Sequence, residues 1–277
     1  MTGALGGVFG WLTYAGLSAI FGLALGAVDY ITKPFHAAEV KSRIRTHLSL
    51  EEMRQKLKFQ NIYLEEQVAR KTAEIRQILN ASIRSMAYML EIRDPYTAGH
   101  QQRVAELACA IAEKLELSPA TIDGIRIAGI LHDVGKIRIP LSILSRSGQL
   151  LDAEYEMLKI HPQVSHDILK DIPFPWPVAQ IVLQHHERLD GSGYPQGLKG
   201  DDIVKEARIL AVADVTEANS SFRPYRPANG IGPALEKLAQ KKGKQYDSDA
   251  VSACLALFAG DEFRFEFETN SNGEVTP

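Results

Sequence analysis

Eight histidines occur in the chain, and five of them stand beside residues that could do chemistry. His100 closes the stretch DPYTAGH, His132 is followed by Asp133 in GILHDVGKIRIP, His161 precedes a proline, and His185 and His186 are adjacent in HHE. Lys136 follows three residues after Asp133. Asp214 ends the apolar run ILAVAD, where an unpaired carboxylate would be costly to bury and a bound cation would remove that cost. Five imidazoles and two carboxylates without a thiolate form a nitrogen and oxygen set. Such a set suits Fe, Mn, Zn, Co or Ni rather than calcium or a structural zinc. These ligands are too many for one ion and about right for two ions bridged by one carboxylate. Asp133 suits the bridge, because its neighbour His132 commits it to the first ion. Two ions about 3.5–4 Å apart are the usual arrangement for in-line hydrolysis of a phosphoester by a hydroxide held between them. His166 reads as a surface or supporting residue, and His36 and His47 have no acidic company.

The loop directly after the histidine pair, DGSGYPQG, carries Gly191, Gly193 and Gly197 with Pro195. That composition makes a tight turn with little side-chain bulk, so a substrate can come close. The two cysteines, Cys109 and Cys254, lie in apolar helical patterns and read as core thiols of a reducing compartment. The net charge of −3 over 277 residues gives no sign of a DNA- or RNA-binding protein. An anionic substrate must therefore be held by local positive charge or by metal.

These residues need rigid elements to hold them. From residue 91 onward the pattern is helix after helix. HQQRVAELACAIAEKL places Val104, Leu107, Ile111 and Leu115 on one face, and SPATIDGIRIAGILHDVG opens with Ser118 as N-cap and Pro119 in the first turn. LDAEYEMLKIHP starts near Asp152 and is stopped by Pro162, and PVAQIVLQHHERL and KEARILAVADVTEAN are further apolar helices. The expected fold is all-α, with one catalytic domain over 91–262 and a polar tail over 263–277. Residues 49–90 contain neither Gly nor Pro, and Leu50, Leu57 and Leu64 recur every seven residues with Met53 between them. The stripe then shifts to Val68, Ile75, Ile78 and Leu79. This suits a long connecting helix that pairs with a second copy as a coiled-coil homodimer. Residues 1–28 carry no charge and are long enough to span a bilayer. A membrane anchor over residues 4–28 is the rival to a cytoplasmic chain and is not favoured.

Two resemblances follow from these motifs. DYITKPF and the helix AAEVKSRIRTHL resemble the last strand and helix of a response-regulator receiver domain, so residues 1–48 are expected to be a truncated receiver remnant. No acidic cluster precedes Asp29, so no phosphorylation input is expected from it. His100, the pair His132–Asp133 and Asp214 resemble the HD superfamily of metal-dependent phosphohydrolases. HDVGK, HP, HHERLDGSGYP and RPYRPA narrow the resemblance to the HD-GYP family over roughly residues 90–258. The resemblance implies an HD-type helical domain that hydrolyses cyclic di-GMP, or a related cyclic dinucleotide, to the linear dinucleotide or GMP. It implies a first metal on His100, His132, Asp133 and Asp214 and a second on Asp133, His161, His185 and His186. Lys136 would sit beside the scissile phosphate. Tyr194, Gly193 and Pro195 would line the ligand, and Arg223 and Arg226 would hold phosphate oxygens.

The chain departs from the family at Glu217 and Phe222, where Asp is usual, at Asn219, where an apolar residue is usual, at Ser165 for Gly and at Leu141 for Asp. None of these removes a ligand. Some relatives hold a third ion on a carboxylate four residues before the first histidine. Tyr96 stands there and Asp94 lies six residues before His100, so two ions are expected. The alternatives are a decayed domain that senses nucleotide or docks on a partner such as a diguanylate cyclase, and an HD phosphohydrolase for another nucleotide. The complete ligand set argues against the first, and the GYP and RPYR elements against the second.

Overall fold

The computed structural model describes residues 29, 31, 34, 36–93, 99–146, 148–220 and 230–265. Two compact units divide the chain, residues 1–76 and 77–277. Helix α1, Ala37–Arg93, contributes to both. It runs without interruption through residue 48, as a segment free of Gly and Pro allows.

In the first unit Asp29 binds the Arg43 guanidinium at 2.8 Å and faces His47 Nε2 at 3.3 Å. The seven-residue stripe lies uncovered within one chain: Leu50, Met53, Leu57 and Leu64 are each more than half exposed. Most of the strand-like DYITKPF, with Lys33, lies outside the described residues, as does the uncharged stretch 1–28. No helix of the described residues is long and apolar enough to cross a membrane.

The second unit is all-α, and no strand occurs among its described residues. Ile83 and Leu90 on the last turns of α1 are buried in its core. Next come α2 (His100–Lys114), α3 (Pro119–Leu131), a 3-10 turn (Val134–Arg138) and the short α4 (Leu141–Leu144). α5 (Asp152–Leu158), α6 (His161–Leu169) and α7 (Val178–Gln184) follow. α8 (Lys205–Ser220), α9 (Ile231–Gln240) and α10 (Ser248–Ala259) complete the unit. Ser118 caps α3 by accepting the Thr121 N–H at 3.1 Å, with Pro119 as the first helical residue. Pro162 opens α6 instead of stopping α5, which has already ended at Leu158. A proline costs nothing in a first turn, where its missing N–H has no partner to lose.

α8 explains the apolar run ILAVAD. It packs on α2, α3, α7, α9 and α10, so nearly its whole circumference is buried. α2 and α3 approach closely because Gly129 has no side chain: a Cβ there would stand 2.7 Å from the Ala105 Cα. Phe263 and Phe265 pack with Phe258 at ring distances of 5.5 and 5.7 Å. The start of the expected polar tail therefore belongs to the fold, while residues 266–277 lie outside the described residues.

Candidate metal centre

The helix ends converge. His100 opens α2, His132 and Asp133 follow α3, His161 opens α6, His185 and His186 follow α7, and Asp214 faces inward from the middle of α8. Asp133 is the hub. Its Oδ2 lies 3.4 Å from His132 Nε2 and 3.9 Å from His100 Nε2, and its Oδ1 lies 3.3 Å from His161 Nε2. Asp214 Oδ1 lies 3.4 Å from His100 Nε2 and 3.9 Å from His132 Nε2, and its Oδ2 lies 4.0 Å from His186 Nδ1. Three trios bring their ligand atoms within 4.8 Å of one another: His100, His132 and Asp214; His132, Asp133 and His185; His161, His185 and His186. The seven expected ligands thus lie in one cluster.

The rings are oriented from behind. His132, His161 and His185 donate Nδ1–H to the carbonyls of Gly129, Leu158 and Val182 at 2.7, 2.7 and 2.6 Å. Each lies three residues after its acceptor at the end of a helix, where carbonyls lack intrahelical partners. The bond fixes the tautomer and leaves the Nε2 lone pair facing the cluster.

Three buried atoms there make no hydrogen bond: Asp133 Oδ1, His161 Nε2 and His185 Nε2. Unpaired buried polar atoms are costly and uncommon, and a divalent cation between them would satisfy all three. Burial pushes the pKa of His161 down to about 4 and that of His185 down to about 3, and it lowers His186 as well. All three are neutral and ligand-competent near neutral pH. Burial works against ionising Asp133, but Lys136 and His132 hold its carboxyl well below the ordinary range. Burial opposes Asp214 likewise, and the hydrogen bond from His100 with the nearby imidazoles holds its carboxyl well below the ordinary range. The donor set and its protonation fit transition-metal ions.

Lys136 reaches across the 3-10 turn to Asp133 Oδ2 at 2.6 Å. That turn is pinned by Ser165, whose hydroxyl accepts the Gly135 N–H at 2.7 Å and donates to the His132 carbonyl at 2.9 Å. Gly135 must be glycine, since a Cβ would stand 2.1 Å from the His161 carbonyl oxygen.

The glycine-rich loop sits on the histidine pair. Tyr194 stacks over His186 at 4.7 Å and its N–H donates to the His186 carbonyl at 3.3 Å. The buried Glu187 holds the loop by accepting the N–H groups of Gln196 and Leu198 at 2.7 and 3.0 Å. Gly193 passes so close beneath that a Cβ would stand 2.4 Å from the Glu187 Cα, so Gly193 shapes the loop. Pro195 follows Tyr194 and is exposed.

His166 lies apart, 3.4 Å from Asp167. Arg223, Arg226, Phe222, Asp94 and Tyr96 lie outside the described residues. Leu141 is exposed, and Asn219 donates to the Val215 carbonyl on its own helix. Three supporting residues had no role assigned from the sequence: Ser165, Glu187 and Glu217. Glu217 was noticed only as a departure, although its position one turn after Asp214 on an apolar helix marks it as buried beside the ligands. Glu187, next to the histidine pair and before a glycine-rich loop, carried a similar signal.

An all-α domain whose helix ends gather imidazoles and carboxylates into candidate metal-binding clusters defines a class of metal-dependent domain. The chain belongs to the HD-domain family, whose model matches residues 84–250. It is 36% identical over 235 residues to the cyclic di-GMP phosphodiesterase response regulator RpfG of Xanthomonas campestris pv. campestris, covering 84% of this chain and 62% of that protein. It is 36% identical over 176 residues to 3'3'-cGAMP-specific phosphodiesterase 3 of Vibrio cholerae, covering 63% of this chain and 38% of that protein. The chain therefore spans less than two thirds of the length of either relative. A solved HDG"Y"P protein from Bdellovibrio bacteriovorus shares the fold, with TM-score 0.50 and 22% identity over 58% of this chain and 52% of that one.

Proposed function

We propose that the chain hydrolyses a phosphodiester bond of a cyclic dinucleotide, cyclic di-GMP first, giving the linear dinucleotide or GMP in bacterial second-messenger signalling. The observation that carries this reading is the cluster of five imidazoles and two carboxylates with three ligand atoms at its centre that make no hydrogen bond. The names of the relatives support the substrate class. His100, His132, Asp133 and Asp214 would hold one divalent transition-metal ion, and Asp133, His161, His185 and His186 a second. When bound, the ions supply Lewis acidity and water activation for in-line displacement at phosphorus.

The chain's own residues then bind and orient the substrate. The Lys136 ammonium, beside Asp133, neutralises the phosphate that enters there. Tyr194 offers its ring face beside His186, and Gly193 and Pro195 keep the loop thin enough for a nucleotide to approach. Arg223 and Arg226 hold the non-reacting phosphate oxygens, a geometry that a guanidinium fork suits. The messenger is made and read inside the cell, so the domain works in the cytoplasm. The uncovered leucine stripe on α1 fits a second copy of the same helix as a parallel dimer.

The test is direct. Purified protein is incubated with cyclic di-GMP, and separately with 3'3'-cGAMP, under reducing conditions with Mn or Fe(II). The products are separated by chromatography. Metal-dependent appearance of a linear dinucleotide or GMP supports the reading, and no turnover of either substrate with any of the candidate metals overturns it.

A further inference from the structure

His100 is held differently from the other histidines. His132, His161 and His185 each pair Nδ1 with the carbonyl three residues earlier, whereas His100 pairs it with a carboxylate from another helix. The His100 Nδ1 lies 2.5 Å from Glu217 Oε2, inside the protein, where Glu217 is wholly buried. The other carboxylate oxygen, Oε1, takes the Arg103 guanidinium at 2.9 Å from Nε and 2.7 Å from Nη2. Two helices therefore exchange two pairings. α2 contributes His100 and Arg103, one turn apart, and α8 contributes Asp214 and Glu217, one turn apart. His100 Nε2 faces Asp214 at 3.4 Å while its Nδ1 faces Glu217.

A carboxylate behind an imidazole does more than a carbonyl. It carries a full negative charge, so it fixes the tautomer and also raises the electron density that the opposite nitrogen offers to a cation. A buried carboxylate without compensation would be costly, and Arg103 supplies that compensation through a planar fork that leaves Oε2 free for the histidine.

We infer that Glu217, charge-balanced by Arg103, is a positioning residue that tunes the affinity of the metal position containing His100, leaving the position of His161, His185 and His186 unaffected. The inference rests on the two-metal reading above. It makes the two positions unequal: one has a charged carboxylate behind His100, while in the other His161 and His185 are backed by carbonyls.

The experiment titrates the chelator-treated full chain with Mn(II), with bound metal read by elemental analysis after rapid desalting, and with Co(II), followed by its visible absorption. Wild type retains two ions. Glu217→Gln is expected to retain one at wild-type affinity and to bind the other about 10–100-fold more weakly. Glu217→Asp, which keeps the charge, recovers most of that loss. The double variant Arg103→Met, Glu217→Gln removes both members of the ion pair together and still shows one weakened ion. If Glu217→Gln and the double variant both bind two ions at wild-type affinity, the inference is overturned even where thermal stability has dropped. Equal weakening of both ions also overturns it. Wild type that binds no ion overturns the two-metal reading itself, which separates the two failures.

Discussion

Ser165→Ala isolates how the turn that carries His132, Asp133 and Lys136 is held. The hydroxyl is fully buried and bridges the Gly135 N–H and the His132 carbonyl at 2.7 and 2.9 Å. Removing one oxygen leaves both backbone groups buried without a partner. At roughly 1–2 kcal/mol for each such group, the cost is about 3 kcal/mol. No water can easily replace the hydroxyl, because Gly135 stands so close to α6 that even a Cβ would lie 2.6 Å from the Ser165 nitrogen. For a domain of this size about 3 kcal/mol lowers the melting temperature by roughly 6–12 °C. The assay is thermal unfolding of metal-free wild type and variant followed by circular dichroism, with urea unfolding to check that the slope is unchanged. Because the loosened turn carries two of the ligands, metal retention falls as well. A melting temperature within about 2 °C of wild type would show that the Ser165 hydroxyl does not pin the turn.

Glu187→Ala removes the acceptor for the Gln196 and Leu198 N–H groups, so the loop carrying Tyr194 loosens. The KM for the cyclic dinucleotide rises at least tenfold while metal content, measured by elemental analysis, stays at the wild-type value. Burial pushes the Cys109 and Cys254 thiols up to about 11 and about 12. A raised thiol pKa keeps the group protonated below it, so at pH 8 the Cys109 thiolate is about a thousandfold in the minority. A thiol-titrating reagent finds no reactive cysteine in the native protein and both after denaturation. Leu57→Lys with Leu64→Lys places charges in the uncovered stripe and shifts the sedimenting species from dimer to monomer.

Local signals carried most of the fold. Apolar spacing placed α2, α3 and α8, and the Ser118–Pro119 pair marked where α3 begins, because caps and first-turn prolines act within a few residues of chain. Pro162 misled, since a proline can follow one helix or open the next, and here α5 ends at Leu158 while Pro162 lies in the first turn of α6. The seven candidate ligands were legible because their residue types are chemically unusual beside apolar runs. Their supports were not. Glu217 meets His100 across 117 positions of sequence and Ser165 meets His132 across 33, and no periodicity reports a pairing that only the crossing of two helices creates. Asp133 as the hub follows from its neighbours in space as well as in sequence: it faces His161, 28 residues further on, as closely as it faces His132.

The central claim is that these side chains hold two ions on a shared Asp133. Protein stripped by chelation and reloaded anaerobically with Fe(II) or Mn(II) is desalted and its bound metal counted, for wild type and Asp133→Ala, with turnover of cyclic di-GMP measured on the same samples. The account predicts about two ions per chain and turnover in wild type, with fewer ions and no turnover in the variant. Full turnover after exhaustive chelation, or a variant that keeps both ions and normal turnover, would contradict it.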